Sequence, residues 1–272
     1  MSATLRLDDG RVIAYEDHGV GPAVVCFHGS PGSRLFRPAP SGGIRLVTFD
    51  RPGYGRSDPQ PGRRLADTAH DVARLADHLG LDRFGVVGWS GGGPFAIATA
   101  FHCAHRVTRL AIVSAPGPLD EVPGAWEALG DHRRPTAEMA RVDPARSERA
   151  IARHMEPYLD DPPGFLGSGA ADPMLVAQVH EALRQGATGI AQDLVAMWVE
   201  WGFRLADLRV PAHVWHGARD PHNDADTAAY AACIPGARRT VWPDGGHLGV
   251  IEHWSEIVAW LTAGEGRGAA PG

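Results

Sequence analysis

Short apolar runs alternate with helical patterns along the first 115 residues of the chain. The runs are rich in β-branched and aromatic residues and end at glycine- or proline-rich loops, which is typical of strands. They cover Ala23 to Phe27, Arg45 to Phe49, Phe84 to Val87 and Val107 to Val113. Val12 to Glu16 instead alternates between apolar and polar positions, which predicts an antiparallel edge strand.

Between these runs, apolar positions recur with helical spacing. Leu65 to Leu79 has the pattern of an amphipathic helix, and Gly80 follows where a glycine cap is expected. A second helix is predicted from Pro94 to Ala104. Strands that alternate with helices indicate an α/β fold whose mostly parallel sheet is covered on both faces.

From Pro116 to Leu205 the strand signals vanish and helical segments dominate, as at Asp143 to Tyr158 and Leu175 to Phe203. The strand–helix rhythm then returns: strands are predicted at Val210 to Trp215 and Thr240 to Trp242, and helices near Ala225 to Cys233 and Leu248 to Leu261. We therefore expect a core of residues 1–115 and 206–264 that carries a helical insertion at residues 116–205. Residues 265–272 are rich in glycine and alanine and are expected to form a flexible tail.

The segment Gly88-Trp89-Ser90-Gly91-Gly92 connects a predicted strand directly to a predicted helix. A serine between glycines at such a corner is typical of a nucleophile elbow. Glycine neighbours avoid a clash with adjacent strands and tolerate the strained backbone. The hydroxyl would then project from the sheet edge at the positive end of the helix, which predicts Ser90 as a nucleophile.

A serine hydroxyl is a weak nucleophile and needs a neighbouring base. His247 follows the last predicted strand in a glycine-rich loop, so its imidazole can reach over the sheet edge. The imidazole in turn needs a carboxylate that fixes its tautomer. Asp220, directly after a predicted strand, is the favoured acid, and the alternatives are Asp224 and Asp226, which could instead stabilise a helix N-terminus.

The oxyanion formed in acyl transfer needs preorganised N–H donors. Gly91, just after the predicted nucleophile, would supply one, and the loop of residues 28–32 would supply the other. Pro31 has no N–H, so Ser30 is the favoured donor, with Gly29 as the alternative.

Five residues are candidates for substrate binding. His28 and Trp89 flank the predicted catalytic groups, and His28 is also expected to brace its loop by hydrogen bonds. Met197, Trp198 and Trp201 lie where the helical insertion returns to the core. Methionine and aromatic side chains are suited to an adaptable apolar pocket above the nucleophile.

Five motifs in this chain resemble those of the α/β-hydrolase superfamily. They are His28-Gly29-Ser30-Pro31-Gly32, Asp50-Arg51-Pro52-Gly53-Tyr54-Gly55-Arg56-Ser57, Gly88-Trp89-Ser90-Gly91-Gly92, Gly217-Ala218-Arg219-Asp220 and Gly246-His247. The resemblance covers residues 10–115 and 206–262 and implies an eight-stranded sheet with a helical cap after the sixth strand. It assigns the second motif to a structural turn. Relatives that are dehalogenases or epoxide hydrolases use aspartate at the elbow, so Ser90 indicates acyl chemistry instead.

Composition indicates which class of protein, and which cellular compartment, this chemistry belongs to. The chain has 272 residues, 44% of them hydrophobic, which suits one globular domain with a large core. No apolar run reaches the roughly 18 residues of a membrane span. The first residues lack the features of a signal peptide, and three scattered cysteines fit a reducing cytoplasm. A formal net charge of −6 argues against a nucleic-acid surface.

The charge is unevenly distributed. Residues 117–205 contain fourteen acids and eight arginines, whereas the remainder contains eighteen of each. This excess is either ordinary solvated surface or an entrance that disfavours anionic substrates.

These observations favour a cytoplasmic serine hydrolase that acts, without metal or organic cofactor, on an ester, lactone or thioester of an apolar, uncharged small molecule. One alternative is an aminopeptidase similar to the proline iminopeptidases, with Glu200 or Glu181 holding the substrate amine. Others are a natural-product cyclase or lyase that uses the same pocket, and a non-catalytic ligand receptor. The oligomeric state is left open.

Overall fold

A computed structural model of the chain describes residues 2–39 and 42–263, so the predicted tail at 265–272 and core residue 264 lie outside the described residues. Within them, one eight-stranded sheet has the order β1-β2-β4-β3-β5-β6-β7-β8. Its strands are β1 (Ala3–Arg6), β2 (Val12–His18), β3 (Ala23–Phe27), β4 (Arg45–Phe49), β5 (Phe84–Trp89), β6 (Val107–Val113), β7 (Ala212–Gly217) and β8 (Arg238–Trp242). The α/β prediction is confirmed.

The sheet is parallel from β4 to β8 and antiparallel at β1 and β2. The prediction of Val12 to Glu16 as an edge strand was wrong in one respect. That strand pairs with β4 on one side and with β1 on the other, where Ala3 lies opposite Tyr15. The edge is therefore β1, whose four residues are too few to give a clear alternating signal.

Each face of the sheet carries its own hydrophobic cluster. On β3, Val25 and Phe27 point into one cluster, while Val24 and Cys26 point into the other, as the two-residue period of a strand requires. The first cluster contains side chains of α1 (Leu65–His78), α2 (Gly93–His102) and α8 (Asp224–Cys233). The second contains those of α9 (Gly249–Glu252) and α10 (Trp254–Leu261). Helices thus cover both faces.

Five α-helices lie between β6 and β7 in the described part of the chain, in the stretch where the sequence pattern loses its strands. They are α3 (Ala125–Ala128), α4 (Gly130–Val142), α5 (Pro144–Met155), α6 (Pro173–Ala182) and α7 (Thr188–Trp198). Among the described residues, no helix combines the length and apolar character that crossing a bilayer requires.

Two long helical predictions are divided in the structure. Leu175 to Phe203 is broken between α6 and α7 at Gly186, whose φ of +77° no right-handed helix can contain, and the chain becomes extended at Val199. Leu248 to Leu261 is likewise separated into α9 and α10 at His253.

Helix α7 lies directly on the turn that follows β4. A Cβ added to Gly189 would come 2.6 Å from Tyr54 Cγ, and one added to Gly53 would come 3.0 Å from the Gly189 backbone. Tyr54 is buried. The absence of side chains at these two glycines therefore sets how closely α7 approaches the turn after β4.

We expect Gly189→Ala to destabilise the fold by about 1–3 kcal/mol, because overpacking at a closed contact forces its surroundings to move. Thermal or denaturant unfolding measures this change. Gly42→Ala is a matched control, since Gly42 is exposed and a Cβ there would meet nothing within 4 Å. Equal stability of the two variants would contradict the tight contact between α7 and Tyr54.

Candidate active site

The corner between β5 and α2 has no room for side chains two residues before and two residues after its serine. A Cβ on Gly88 would lie 2.6 Å from the Gly92 carbonyl oxygen, and one on Gly92 would lie 2.4 Å from the Phe27 carbonyl oxygen. Ser90 itself has a φ of +51°, in the left-handed region that a non-glycine residue seldom adopts. This strained corner, predicted from the glycine spacing, presents the Ser90 hydroxyl at the carboxyl end of β5.

Three side chains from separate loops form one hydrogen-bonded series at this edge. His247 Nε2 lies 3.0 Å from Ser90 Oγ, and His247 Nδ1 lies 2.8 Å from Asp220 Oδ2. The other Asp220 oxygen accepts the His222 backbone N–H at 3.0 Å. Burial alone would raise the pKa of Asp220, but hydrogen bonds, led by that from His247, outweigh it and lower the pKa. The ionised carboxylate keeps the proton on Nδ1 and leaves Nε2 as an acceptor.

The alternative acids lie on α8 and have other partners. Asp224 forms an ion pair with Arg239, and Asp226 accepts the Gly117 backbone N–H at 2.9 Å. The structure therefore brings Asp220, and neither of these two carboxylates, into hydrogen-bond contact with His247.

The two predicted oxyanion donors lie side by side. A Cβ on Gly91 would come within 3.3 Å of the Ser30 backbone nitrogen. On the other side of this loop, the Arg51 guanidinium donates to the carbonyl oxygens of His28 and Gly29. The Arg51 guanidinium therefore fixes both carbonyls that precede Ser30.

His28 and Trp89 both support the loops around the nucleophile. His28 is 2% exposed. Its Nδ1 donates to the Gly29 carbonyl oxygen at 2.7 Å, and its Nε2 accepts the backbone N–H of Arg51 at 3.3 Å. Burial, aided by the Arg51 charge, holds the pKa of His28 well below its usual value. Trp89 donates from Nε1 to the His247 carbonyl at 2.8 Å. These contacts support bracing roles.

The other predicted binding residues lie in two different clusters. Met197 and Trp201 pack in the first cluster, which also contains side chains of α1 and α2, and Trp201 Nε1 donates to the Met197 carbonyl at 3.1 Å. Trp198 packs among the inserted helices with Ala137 and Ile151. All three are at most 7% exposed, and a role in substrate binding stays a prediction.

Sequence reasoning missed a buried ionic cluster under the loop of residues 28–32, here called the oxyanion loop. Asp193 on α7 binds Arg51 and Arg63, and the side chains of all three have no exposure. The sequence assigns Arg51 only to a turn, and Asp193 is the one charged residue of α7. A lone carboxylate in such a helix is the signal that could have revealed it, since buried charges are found paired.

Comparisons with known proteins agree with this architecture. A sequence model of the α/β hydrolase fold family matches residues 22–253. The 2-hydroxy-6-oxononadienedioate/2-hydroxy-6-oxononatrienedioate hydrolase 1 of Dechloromonas aromatica is 33% identical, with 93% of this chain and 91% of that protein covered. The dihydrolipoyllysine-residue acetyltransferase component of the acetoin cleaving system of Cupriavidus necator is 30% identical over 93% of this chain, which spans 66% of that component's length.

A solved structure shows the same similarity in three dimensions. A thermophilic esterase from Thermogutta terrifontis superimposes with a TM-score of 0.66 at 26% identity, covering 96% of each chain. The chain belongs to the α/β hydrolase fold family, and it is a hydrolase.

We expect a fluorophosphonate reporter to modify the protein at Ser90, because such reagents phosphonylate activated serines with loss of fluoride. Mass spectrometry of the digested protein locates the adduct. Ser90→Ala should abolish labelling. Ser147→Ala should preserve it, since the Ser147 hydroxyl donates to the Thr136 carbonyl inside the insertion. Labelling at another serine would contradict the assignment of the nucleophile.

Proposed function

We propose that this hydrolase cleaves an ester, lactone or thioester of an apolar, uncharged small molecule through a Ser90 acyl-enzyme. The observation that carries the proposal is the hydrogen-bonded series from Asp220 through His247 to Ser90 Oγ. A serine, a base and an orienting acid in this relation are what nucleophilic acyl transfer requires.

In this mechanism, Ser90 Oγ attacks the substrate carbonyl carbon as its proton passes to His247 Nε2. The negative charge that develops on the carbonyl oxygen is stabilised by the backbone N–H groups of Gly91 and Ser30. Protonated His247 then donates to the leaving alcohol or thiol, which leaves an acyl group on Ser90. Water, activated by the same imidazole, hydrolyses this intermediate and restores the serine.

Residues 116–205 are proposed as a cap that selects the substrate, because this stretch carries the net negative charge of the chain. The named substrate of the Dechloromonas relative is a dioate, a molecule with two carboxylates. The acidic excess here favours a different, neutral substrate, since an anion entering an acidic and partly desolvated site suffers both repulsion and lost hydration.

One observation disfavours the aminopeptidase alternative. Glu181, a candidate for holding a substrate amine, already binds Arg34 at 2.7 Å and Arg56 at 3.3 Å. Glu200, the other candidate, is exposed to solvent. A carboxylate that is neutralised by core arginines offers little to an incoming ammonium group.

Replacing the proposed orienting acid tests the mechanism. Asp220→Asn should lower kcat for a p-nitrophenyl ester by about 10⁴-fold, because the amide would turn the imidazole to the wrong tautomer. Asp224→Asn and Asp226→Asn are controls that should leave most of the activity. Similar losses in all three variants would show that the effect is not specific to Asp220.

An ester series tests the substrate class. Each added acyl methylene should raise kcat/KM severalfold until the pocket is filled, since burying one contributes about 0.8 kcal/mol. Members with a terminal carboxylate should react more slowly than neutral members of equal length. Raising the salt concentration should narrow that gap by screening the repulsion. Equal rates for matched anionic and neutral esters at low salt would refute selection by charge.

A further inference from the structure

The buried cluster of Asp193, Arg51 and Arg63 is costly to the fold. None of the three side chains has measurable exposure, and charges removed from water are tolerated only when they are well paired and hydrogen-bonded. An apolar contact could have held α7 on the core without this cost. The cluster lies directly behind the oxyanion loop, which indicates that it holds this loop in position.

Asp193 uses both of its carboxylate oxygens. Oδ2 accepts from Arg51 Nη2 at 2.6 Å, from the Tyr54 hydroxyl at 2.8 Å and from the Ser30 hydroxyl. Oδ1 accepts from Arg51 Nε at 3.2 Å and from Arg63. Burial would raise the pKa of Asp193, but the two guanidinium charges outweigh it and hold the pKa well below its usual value. The carboxylate is therefore ionised and serves as a fixed anchor.

The same guanidinium reaches the oxyanion loop. Arg51 donates from Nη1 to the His28 carbonyl, and from Nη2 to the Gly29 carbonyl at 3.0 Å and the Ser30 hydroxyl at 2.9 Å. Both peptide carbonyls immediately before Ser30 are thus fixed by one planar group. Since a peptide's N–H points opposite to its carbonyl, binding the Gly29 oxygen also sets the direction of the Ser30 N–H.

We propose that Asp193 is a positioning residue for the oxyanion hole, acting from the inserted helix α7 through Arg51 and the Ser30 hydroxyl. The proposal rests on the proposed serine-hydrolase function. It assigns to the insertion a part in transition-state stabilisation: α7 must be seated on the core for the Ser30 N–H to face the developing oxyanion. A misplacement of about 1 Å in such a group can cost about 100-fold in rate.

A purely structural role for Asp193 makes a different prediction. If the ion pairs only held α7 in place, removing the charge would lower stability and spare the kinetics of the folded molecules. A positioning role instead lowers kcat with little change in KM, because the oxyanion hole acts on the transition state more than on the bound ester.

The test is Asp193→Asn, assayed with p-nitrophenyl butyrate on the folded full-length protein. We expect kcat to fall about 10- to 100-fold, which is up to the loss expected for a displaced donor and below the 10²–10³-fold loss of a deleted one, with KM within about threefold. The inhibition constant of butylboronic acid, which forms a tetrahedral adduct on the serine, should rise by the same factor as kcat falls.

Asp71→Asn is the matched control. Asp71 is also a buried carboxylate, and it accepts two hydrogen bonds, of 2.7 and 2.9 Å, from Arg11 in the loop before β2. The Asp71→Asn variant should have a lower melting temperature and unchanged kcat and boronate affinity. If Asp193→Asn behaves in the same way, the positioning role is overturned.

Ser30→Ala provides a second variant, which decides the question if Asp193→Asn does not fold. It keeps the backbone N–H and removes only the hydroxyl held by Asp193 and Arg51. We expect a smaller fall in kcat at unchanged KM, and wild-type kinetics would overturn the proposal.

Fluorophosphonate labelling of the wild-type protein distinguishes failure of the proposed hydrolase mechanism from failure of the positioning role of Asp193. An unlabelled, inactive wild type refutes the hydrolase mechanism itself. An active wild type with insensitive variants refutes only the role of Asp193.

Discussion

The carboxyl ends of the parallel strands meet at one edge of the sheet, and the site depends on this constraint. Ser30 follows β3, Ser90 follows β5, Asp220 follows β7 and His247 follows β8. Residues far apart in sequence become neighbours because their strands are fixed by the ladder of hydrogen bonds between them. The tight corner at Ser90 then decides how far its hydroxyl projects from this edge, and the loops after β7 and β8 supply the proposed acid and the proposed base.

Sequence reasoning correctly predicted the elements whose residue patterns depend only on neighbouring positions in the chain. Buried parallel strands carry apolar side chains on both faces, so β3, β4 and β6 could be bounded to the residue. The glycines around Ser90 reflect a steric need that any such corner has. Strand β1 was missed because its four half-exposed residues gain their order by pairing with β2, which no local pattern reports.

Long-range contacts account for the remaining differences. A single glycine, Gly186, separates two helices whose apolar patterns are otherwise continuous. Asp193 could be recognised as unusual in its helix, but its partner arginines lie 130 residues or more away, in a different part of the fold. The choice of Asp220 over its neighbours came from position at a strand end, and the His247 contact in the structure agrees with that choice.

Part of the acidic excess of the insertion faces the core. Asp193 binds Arg51 and Arg63, while Glu181 binds Arg34 and Arg56, so two of its carboxylates are matched by core arginines. This has a consequence for protein engineering. Exchanging the insertion with that of another α/β hydrolase would leave Arg51 and Arg63 buried without a counter-charge, unless the incoming helix places an acid at the same point. Compatible insertions can therefore be screened by that one residue before any substrate is considered.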